Sequence, residues 1–197
     1  MKRFFGFFAL VGVLLSASAF IASETLKYNV DTEKSTVNWK GYKVAGSHEG
    51  TLNLKSGGLE YTDGLLSGGT FEIDMTSMAV TDLKGGSAKK LLGHLKSDDF
   101  FGVNNFPTTT FNITSVFPQG PDRYKVIGDL TVKEVTKSIK FIATTTEKDG
   151  IITANAEITV DRSDYDVRYG SGTFFDNLGD KAIYDNFDLN VSLVVNK

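Results

Sequence analysis

The sequence predicts an all-β fold, namely a closed antiparallel barrel of roughly eight strands with an apolar interior and one short helix. The first observation behind this prediction is that apolar residues recur at every second position through most of the chain from Val37 to Val195. Successive side chains of a strand point to opposite faces, so each such segment has one apolar and one polar face. The second is that Gly- and Asp-rich turn sequences separate the segments, and the third is that one stretch alone has helical periodicity. Closure removes the edges and the bare apolar face that an open sheet would expose.

The predicted strands follow one another through short connections, so neighbours in sequence should be neighbours in the sheet. Turn signals stand at Gly57-Gly58, Asp63-Gly64, Gly120-Pro121-Asp122 and Asp149-Gly150. The alternating runs are Val37 to Trp39, Leu52 to Leu54, Phe71 to Met75, Phe111 to Ile113, Tyr124 to Val126, Leu130 to Val132, Ile139 to Ala143, Ala154 to Val160 and Phe187 to Val195.

Residues 82–106 interrupt the alternation and predict the helix. Ser87 can accept hydrogen bonds from the first backbone N–H groups of a helix and is the predicted N-cap. The apolar residues that follow recur at helical spacing, which predicts one stripe packed over a barrel mouth or flank. They are Ala88, Leu91, Leu92 and Leu95. A second irregular segment, Asp161 to Asp185, leads into the last strand, and we name it the strap.

The turn at Asp149-Gly150 allows strand register to be predicted, because a two-residue turn fixes which residues face each other. In that hairpin the predicted pairs are Ala143 with Ala156, Phe141 with Ile158, and Ile139 with Val160. Matching the apolar faces of the preceding strands predicts further pairs. They are Phe111 with Leu130, Ile113 with Gly128, Leu130 with Phe141, and Gly128 with Ala143.

These pairs predict two layers of side chains inside the barrel, one bulky and one mostly small. The bulky layer contains Phe111, Leu130, Phe141 and Ile158, and the other contains Ile113, Gly128, Ala143 and Ala156. A layer of small residues can leave space for a ligand. Alternatively, Gly128 marks a bulge or bend and other strands fill the gap. Both interpretations stay open from the sequence.

The first nineteen residues have the layout of a secretory signal peptide. Lys2 and Arg3 form a basic start, Phe4 to Leu15 is an apolar run too short to span a bilayer, and Ala17-Ser18-Ala19 is a small-residue cleavage site. We expect residues 1–19 to be removed and residues 20–197 to form a single domain in the periplasm or outside the cell. The chain contains no cysteine, so it has neither disulfides nor a lipidated cysteine anchor.

Composition argues against several classes of function. Without Lys2 and Arg3 the chain has 19 basic and 24 acidic residues and no basic stripe, so we expect no nucleic-acid partner. Neither His48 nor His94 has zinc-ligand spacing, and no nucleophile elbow, phosphate loop or dinucleotide fingerprint occurs. We therefore predict no catalytic residues, no metal and no cofactor.

Many carboxylates lie in and after the strap, and they raise the alternative of a glycosidase or a calcium site. Their spacing matches no EF-hand loop, so we expect them to be solvated or paired with Arg162, Arg168 and Lys181. They are Asp161, Asp164, Asp166, Asp176, Asp180, Asp185 and Asp188.

Several motifs in order along the chain resemble those of the YceI-like family of secreted lipid-binding barrels. They are Val30-Asp31 with Ser35-Thr36-Val37, Gly93 to Phe101, Phe106-Pro107, Thr110-Phe111, Gly128 to Val132, Val135-Thr136, and Val160-Asp161-Arg162. The resemblance covers residues 20–197 and implies an extended lipocalin-like barrel whose lumen holds a long-chain isoprenoid or related amphiphile. Glu134 stands where the family usually has Gly, which raises the question of how tight that turn is.

We therefore predict a carrier without catalysis that binds a long-chain isoprenoid or a fatty amphiphile. It does not span the membrane, and a homodimer is one option for its assembly. The alternatives are a hydrolase or isomerase acting on a lipid at the barrel mouth through His94 or a strap carboxylate, and a filled barrel serving as a structural or interaction module. The predicted lumen residues are Trp39, Phe71, Ile73, Leu91, Leu95, Phe111, Ile113, Gly128, Leu130, Phe141, Ala143, Ala156 and Ile158.

The leader generates the first testable prediction. N-terminal sequencing of the exported protein should find a chain that begins near Phe20, because signal peptidase cleaves after small-residue motifs such as Ala17-Ser18-Ala19. An uncleaved chain recovered from the cytoplasm would refute it.

Overall fold

The two-residue alternation of the sequence produces long antiparallel strands. The computed structural model describes residues 23–196, so the predicted leader lies outside the described residues. Within this range the chain forms nine strands, one α-helix and two short 3-10 helices in the strap. The strands are β1 (Thr25–Asn29), β2 (Thr36–Lys43), β3 (Gly46–Thr62), β4 (Leu65–Val80), β5 (Thr108–Pro118), β6 (Arg123–Val132), β7 (Val135–Lys148), β8 (Ile151–Asp161) and β9 (Ile183–Asn196), with α1 (Gly85–Lys96) between β4 and β5.

Eight of these strands close into an antiparallel barrel, as predicted. Strands β2, β9, β8, β7, β6, β5, β4 and β3 are hydrogen-bonded in that order, and β3 also pairs with β2. The ninth strand, β1, was not expected from the sequence. It pairs with the last residues of β3, beyond the point where β2 ends, and all but one of its side chains are exposed. β1 is five residues long and offers two alternating apolar positions, Leu26 and Tyr28, of which Leu26 is exposed.

The two ends of the barrel differ in construction. At one end, which we name the mouth end, lie α1, the strap and the turns β2–β3 and β6–β7. At the other, which we name the closed end, lie the tight turns at Asp63-Gly64 and Asp149-Gly150 and the end of β9. Asp63 and Asp149 have φ values of 52° and 53°, and each is followed by a glycine with positive φ, which is typical of two-residue hairpin turns. The long connections therefore gather at one end.

Strand register agrees with the predictions in two of the three hairpins. The pairs Phe111–Leu130 and Ile113–Gly128 form between β5 and β6, and Ala143–Ala156 forms between β7 and β8. The β7–β8 pairing ends at Ala143–Ala156. The predicted pairs Phe141–Ile158 and Ile139–Val160 are therefore not formed in the described strands.

The predicted β6–β7 register is wrong by four residues. Gly128 pairs with Ile139 rather than Ala143, and Leu130 pairs with Lys137 rather than Phe141. The reason is a tight turn in which Val132 faces Val135 and Lys133 adopts a φ of 57°. The turn is thus short even though Glu134 is not a glycine. A shift by an even number keeps every side chain on its face, so the apolar pattern could not reveal the error.

Gly128 consequently does not belong to a small-residue layer with Ala143 and Ala156, and that prediction is wrong. The Phe111 ring lies directly over Gly128. A Cβ atom added at residue 128 would stand 2.5 Å from Phe111 Cζ and 2.6 Å from the Asn112 carbonyl oxygen. The absence of a side chain at residue 128 therefore accommodates the Phe111 ring instead of leaving open space.

Helix α1 lies over the mouth, but its start differs from the prediction. The helix begins at Gly85 with Lys84 as the N-cap residue, and no side chain caps it, so the predicted capping role of Ser87 is wrong. Leu92 and Leu95 pack against a buried cluster of Met75, Met78 and Val103. The helix is therefore held on the barrel by apolar contacts. In the described part of the chain, no helix has the length and hydropathy needed to cross a bilayer.

The contact over Gly128 generates a stability prediction. Gly128→Val should lower the free energy of unfolding by about 1–3 kcal/mol, because the Phe111 ring and the Asn112 carbonyl must both move. Denaturant unfolding measures the change. The matched control is Gly41→Val, in strand β2, where an added Cβ would meet no atom within 4 Å. Equal destabilisation by the two substitutions would show that the ring contact is not the cause.

Candidate functional site

The barrel interior contains a cavity of about 340 Å³. Every one of the eight barrel strands contributes inward-facing side chains to its wall, and α1, the segment between α1 and β5, and the strap contribute the rest. The wall is predominantly aliphatic and aromatic because the inward positions of each strand are the apolar members of the alternating pattern. Ligand pockets of proteins occupy roughly 300–1,000 Å³, so the cavity is large enough to hold part of a ligand.

Almost all of the predicted lumen residues lie on this wall. The exception is Gly128, which the Phe111 ring covers. The residues placed on the wall are Trp39, Phe71, Ile73, Leu91, Leu95, Phe111, Ile113, Leu130, Phe141, Ala143, Ala156 and Ile158. Their position is thus established, while their contact with a ligand stays a prediction.

Aromatic rings shape the middle of the cavity. Phe111 stacks on Phe71 with 6.4 Å between ring centroids and contacts Phe141 at 5.6 Å. Trp39 faces the cavity, and its indole N–H donates to the Ala79 carbonyl oxygen at 3.2 Å. Since this hydrogen bond satisfies the polar atom of the indole, the ring presents an apolar surface to the lumen.

Buried tyrosines seal the closed end. The cavity wall reaches Leu66 and Val126, and beyond them lie Tyr61, Tyr124 and Ile152, all of them buried. Burial raises the pKa of Tyr61 to about 12, so its phenol stays neutral at physiological pH. The lumen therefore ends in an uncharged, closely packed layer.

Arg162 is the charged residue most deeply buried at the mouth end, with a relative exposure of 3%. Its guanidinium donates to the carbonyl oxygens of Val167 (2.7 Å), Ile183 (2.9 Å) and Tyr184 (3.2 Å), and it forms an ion pair with Asp185. Burial lowers the pKa of Arg162, an effect that Asp185 opposes, but an arginine so placed keeps its charge. Arg162 thus clamps the strap to the start of β9.

The same arginine also contributes to the cavity wall. Its guanidinium carbon lies 5.4 Å from the centroid of the Phe100 ring, a cation–π distance. The sequence analysis did not predict it as a lumen residue. Arg162 follows Ile158 and Val160 at two-residue spacing, so it falls on the inward-facing side of β8. The sequence analysis looked for apolar residues at these positions, and a charged residue does not fit that pattern.

Both histidines line the rim of the cavity. His48 Nδ1 lies 2.7 Å from Asp82 Oδ2, and the Asp82 carboxylate also accepts the backbone N–H of Glu49. Burial would raise the pKa of Asp82, but these hydrogen bonds lower it overall. The His94 ring packs edge-on against Tyr169 at 4.2 Å. Within residues 23–196 no hydroxyl group hydrogen-bonds to either imidazole, so the arrangement supplies no activated nucleophile.

The carboxylates of the strap are paired or exposed, in agreement with the prediction for most of them. Asp185 pairs with Arg162 and Asp166 with Arg168. Asp188 instead accepts hydrogen bonds from Tyr42 and Thr159, which lower its pKa. The described residues contain no group of three or more His, Cys, Asp or Glu side chains that could hold a metal ion.

Other wall residues follow from the sequence pattern but were not named as candidates. In β9 apolar residues recur at every second position, as in the other strands, so alternation alone could have placed them on the wall. Residues of α1 and of the segments after it could not be placed by parity, since the chain is not extended there. The additional wall residues include Met75, Met78, Phe100, Phe101, Phe187, Leu189, Val191 and Leu193.

Comparisons with known proteins find relatives by sequence and by structure. A UPF0312 protein of Pseudomonas putida is 30% identical over 150 residues, which is 73% of this chain and 73% of the relative. A UPF0312 protein of Vibrio vulnificus is 27% identical over 135 residues, covering 67% of this chain and 69% of the relative.

Among solved structures, Burkholderia cenocepacia BcnA superposes with a TM-score of 0.69 at 22% identity, over 84% of this chain and 98% of BcnA. A domain from Saccharophagus degradans described as polyisoprenoid-binding superposes with a TM-score of 0.65 at 15% identity, over 86% of this chain and 97% of that domain. At these identities the two structures support the fold alone. The family profile of the YceI-like domain, however, matches residues 28–195, and the chain therefore belongs to the YceI-like domain family.

Proposed function

We propose that the protein is a non-catalytic carrier that holds the apolar chain of an isoprenoid or related amphiphilic lipid in its barrel lumen. The observation that carries the proposal is the apolar cavity of about 340 Å³ inside a barrel sealed at one end by buried side chains. An apolar molecule gains free energy from leaving water, and this lumen offers few polar groups to any other kind of ligand.

The energetics favour a ligand with a long chain. Each buried methylene contributes roughly 0.8 kcal/mol, so a chain of about fifteen carbons gains on the order of 10 kcal/mol before costs. Association and ordering cost about 4–15 kcal/mol, so the lumen must be preformed for binding to be favourable overall. Hydrogen bonds join every neighbouring pair of barrel strands, with β7 and β8 paired from Ala143–Ala156 to the closed end, and this pairing supports the requirement because it holds most of the wall in place without a ligand.

The distribution of polar groups favours an amphiphile over a pure hydrocarbon. The polar wall residues are concentrated at the mouth end, where Tyr42, Lys43, His48, His94 and Arg162 contribute. Toward the closed end the wall is apolar apart from Asn155. An amphiphile would place its chain inward and its polar group among these residues, where hydrogen-bond partners are available.

Family membership and one structural neighbour support the ligand class. The Saccharophagus degradans domain that shares this fold is described as polyisoprenoid-binding. Transfer of that ligand to this protein is part of the proposal. A location in the periplasm or outside the cell belongs to it too, and the predicted leader supports that location.

The alternative of a lipid hydrolase or isomerase has one observation in its favour, the His48–Asp82 pair at the rim. A base and an orienting carboxylate are two parts of a hydrolytic triad. The third part, a hydroxyl hydrogen-bonded to the imidazole, does not occur in the described residues. The carrier is therefore the better-supported function.

Filling the lumen provides a direct test. Ala156 lies on the cavity wall opposite Ala143, so Ala156→Phe should occupy ligand space and reduce the long-chain lipid recovered with the protein about tenfold or more. Mass spectrometry of the organic extract of the purified protein measures the lipid. The matched control is Glu157→Phe, which adds the same side chain at an exposed neighbouring position of β8.

Each outcome of this experiment has a definite meaning. Equal lipid content in Ala156→Phe, Glu157→Phe and the unsubstituted protein would contradict binding in the lumen. Loss of lipid is informative only if the protein stays folded, so thermal melting of delipidated samples accompanies the extraction. If Ala156→Phe does not fold, the smaller Ala156→Leu replaces it, with Glu157→Leu as its control.

The proposed absence of catalysis is tested at the two rim histidines. Incubation with a radiolabelled long-chain polyprenyl phosphate should leave that lipid chemically unchanged, as judged by thin-layer chromatography, in the unsubstituted protein and in His48→Ala and His94→Ala alike. Turnover that disappears in one variant while lipid binding persists would establish the enzyme alternative.

A further inference from the structure

Exposed aromatic side chains are concentrated around the mouth end. Tyr169, Phe175 and Tyr184 have relative exposures of 46%, 50% and 54%, and Phe174 is also exposed. Among the described residues, Phe117 is the one comparably exposed large aromatic at the closed end. Rings that are exposed to water contribute little to folding, so their clustering at one end indicates an interaction surface.

These side chains belong to one continuous surface, because the segments that carry them are bonded to one another. The backbone N–H of Val44, in the β2–β3 turn, donates to the Ala182 carbonyl at 3.3 Å, and that of Ile183 donates to Gly170 at 2.8 Å. The Tyr169 ring contacts His94 of α1. The β2–β3 turn, the strap and α1 therefore form a joined rim around the opening.

Helix α1 adds a local positive charge to this rim. From Leu83 to Ser97 the sequence contains Lys84, Lys89, Lys90 and Lys96 but no acidic residue, although the whole chain has a net charge of −3. Lys84, Lys89 and Lys90 are exposed and have no ion-pair partner in residues 23–196, whereas Lys96 donates to the Thr76 carbonyl.

The cavity reaches this surface. Leu91 and His94 of α1 line the cavity, and so does Tyr184, which is also the most exposed aromatic of the rim. The cavity therefore extends to the residues that form the outer face of the mouth end. Acidic residues flank this stretch at Asp82, Asp98 and Asp99 and lie in the strap at Asp176 and Asp180, so the attraction for an anionic surface is carried by the exposed lysines of α1.

We propose that the mouth end docks on the surface of an anionic lipid bilayer, with the aromatic rim at the depth of the headgroups and the lysines of α1 against anionic headgroups. Tyr and Phe side chains partition to that depth, and basic residues near an anionic membrane are attracted to it. The docked orientation turns the opening of the lumen toward the membrane. This inference rests on the proposed carrier function, since it supplies the route by which a water-insoluble lipid enters the lumen.

Vesicle sedimentation tests the docking. Protein carrying residues 20–197 is mixed with phosphatidylcholine vesicles with and without phosphatidylglycerol, at low and at high salt. Binding should require phosphatidylglycerol and should weaken with salt, because the attraction to α1 is electrostatic. The variants are Lys89→Gln/Lys90→Gln and Phe174→Ser/Phe175→Ser. None of these four residues lines the cavity.

Each variant should weaken vesicle binding roughly tenfold or more, because it removes two of the groups that contact the membrane. The control is Phe117→Ser/Ile151→Ser, which removes two exposed apolar side chains from the closed end and should change binding less than about twofold. Unchanged melting temperatures verify that the variants are folded.

The docking proposal is overturned if the unsubstituted protein does not bind anionic vesicles, if neutral vesicles bind it equally, or if the closed-end control loses as much binding as the mouth-end variants. Mass spectrometry of the lipid extract keeps this result separate from the carrier function. Lipid in the lumen without vesicle binding would refute docking alone. Vesicle binding by a protein whose lumen never holds lipid would refute the carrier alone.

Discussion

Closure of the barrel through β3 is the constraint on which the rest of the structure depends. This strand is 17 residues long, and one of its edges pairs with β4 along most of that length. Its other edge is divided, since β2 pairs with the first part and β1 with the last part. The segment between β1 and β2 hydrogen-bonds to two different strands. The backbone N–H of Val30 donates to the Gly57 carbonyl oxygen of β3, and that of Asp31 donates to the Val194 carbonyl oxygen of β9. Closure in this way satisfies both edges and turns all the apolar faces toward one lumen.

The fold class could be predicted from the sequence because the alternation of apolar and polar residues is a local property of each strand. Each apolar run fixes which side chains share a face without reference to any other strand. Register is not local, and the β6–β7 error shows this, since pairing Gly128 with either Ala143 or Ile139 keeps the same faces inward. The deciding factor was the Lys133 turn, whose tightness comes from a left-handed backbone conformation that a lysine adopts infrequently. β1 was missed because it is five residues long and carries two alternating apolar residues, Leu26 and Tyr28, too short a run to identify a strand.

The walls of the candidate site could be predicted to the same extent as the strands that form them. Its rim could not, because α1 and the strap are placed by tertiary contacts. Ser87 fits the pattern of a helix cap, yet the helix begins at Gly85 and gains its stability from Leu92 and Leu95 against the barrel. Arg162 continues the inward-facing series of β8 and is accommodated there because three backbone carbonyls and a carboxylate surround its guanidinium. A buried charge of this kind follows from a network of partners that no single segment of sequence contains.

The early end of the β7–β8 pairing has a mechanical consequence. From Ala143–Ala156 toward the closed end, a hydrogen-bonded ladder holds the two strands at a fixed spacing. Toward the mouth both strands continue without that ladder, and apolar packing connects them instead. Ile139 and Phe141 of β7 pack against a cluster that includes Ile158, Val160, Tyr165 and Val167. Side-chain contacts are non-directional and yield to small displacements more readily than a ladder of directional hydrogen bonds does. The barrel is consequently held more rigidly near the closed end than near the mouth end, so a change in the width of the lumen near the mouth end disturbs fewer hydrogen bonds than the same change near the closed end.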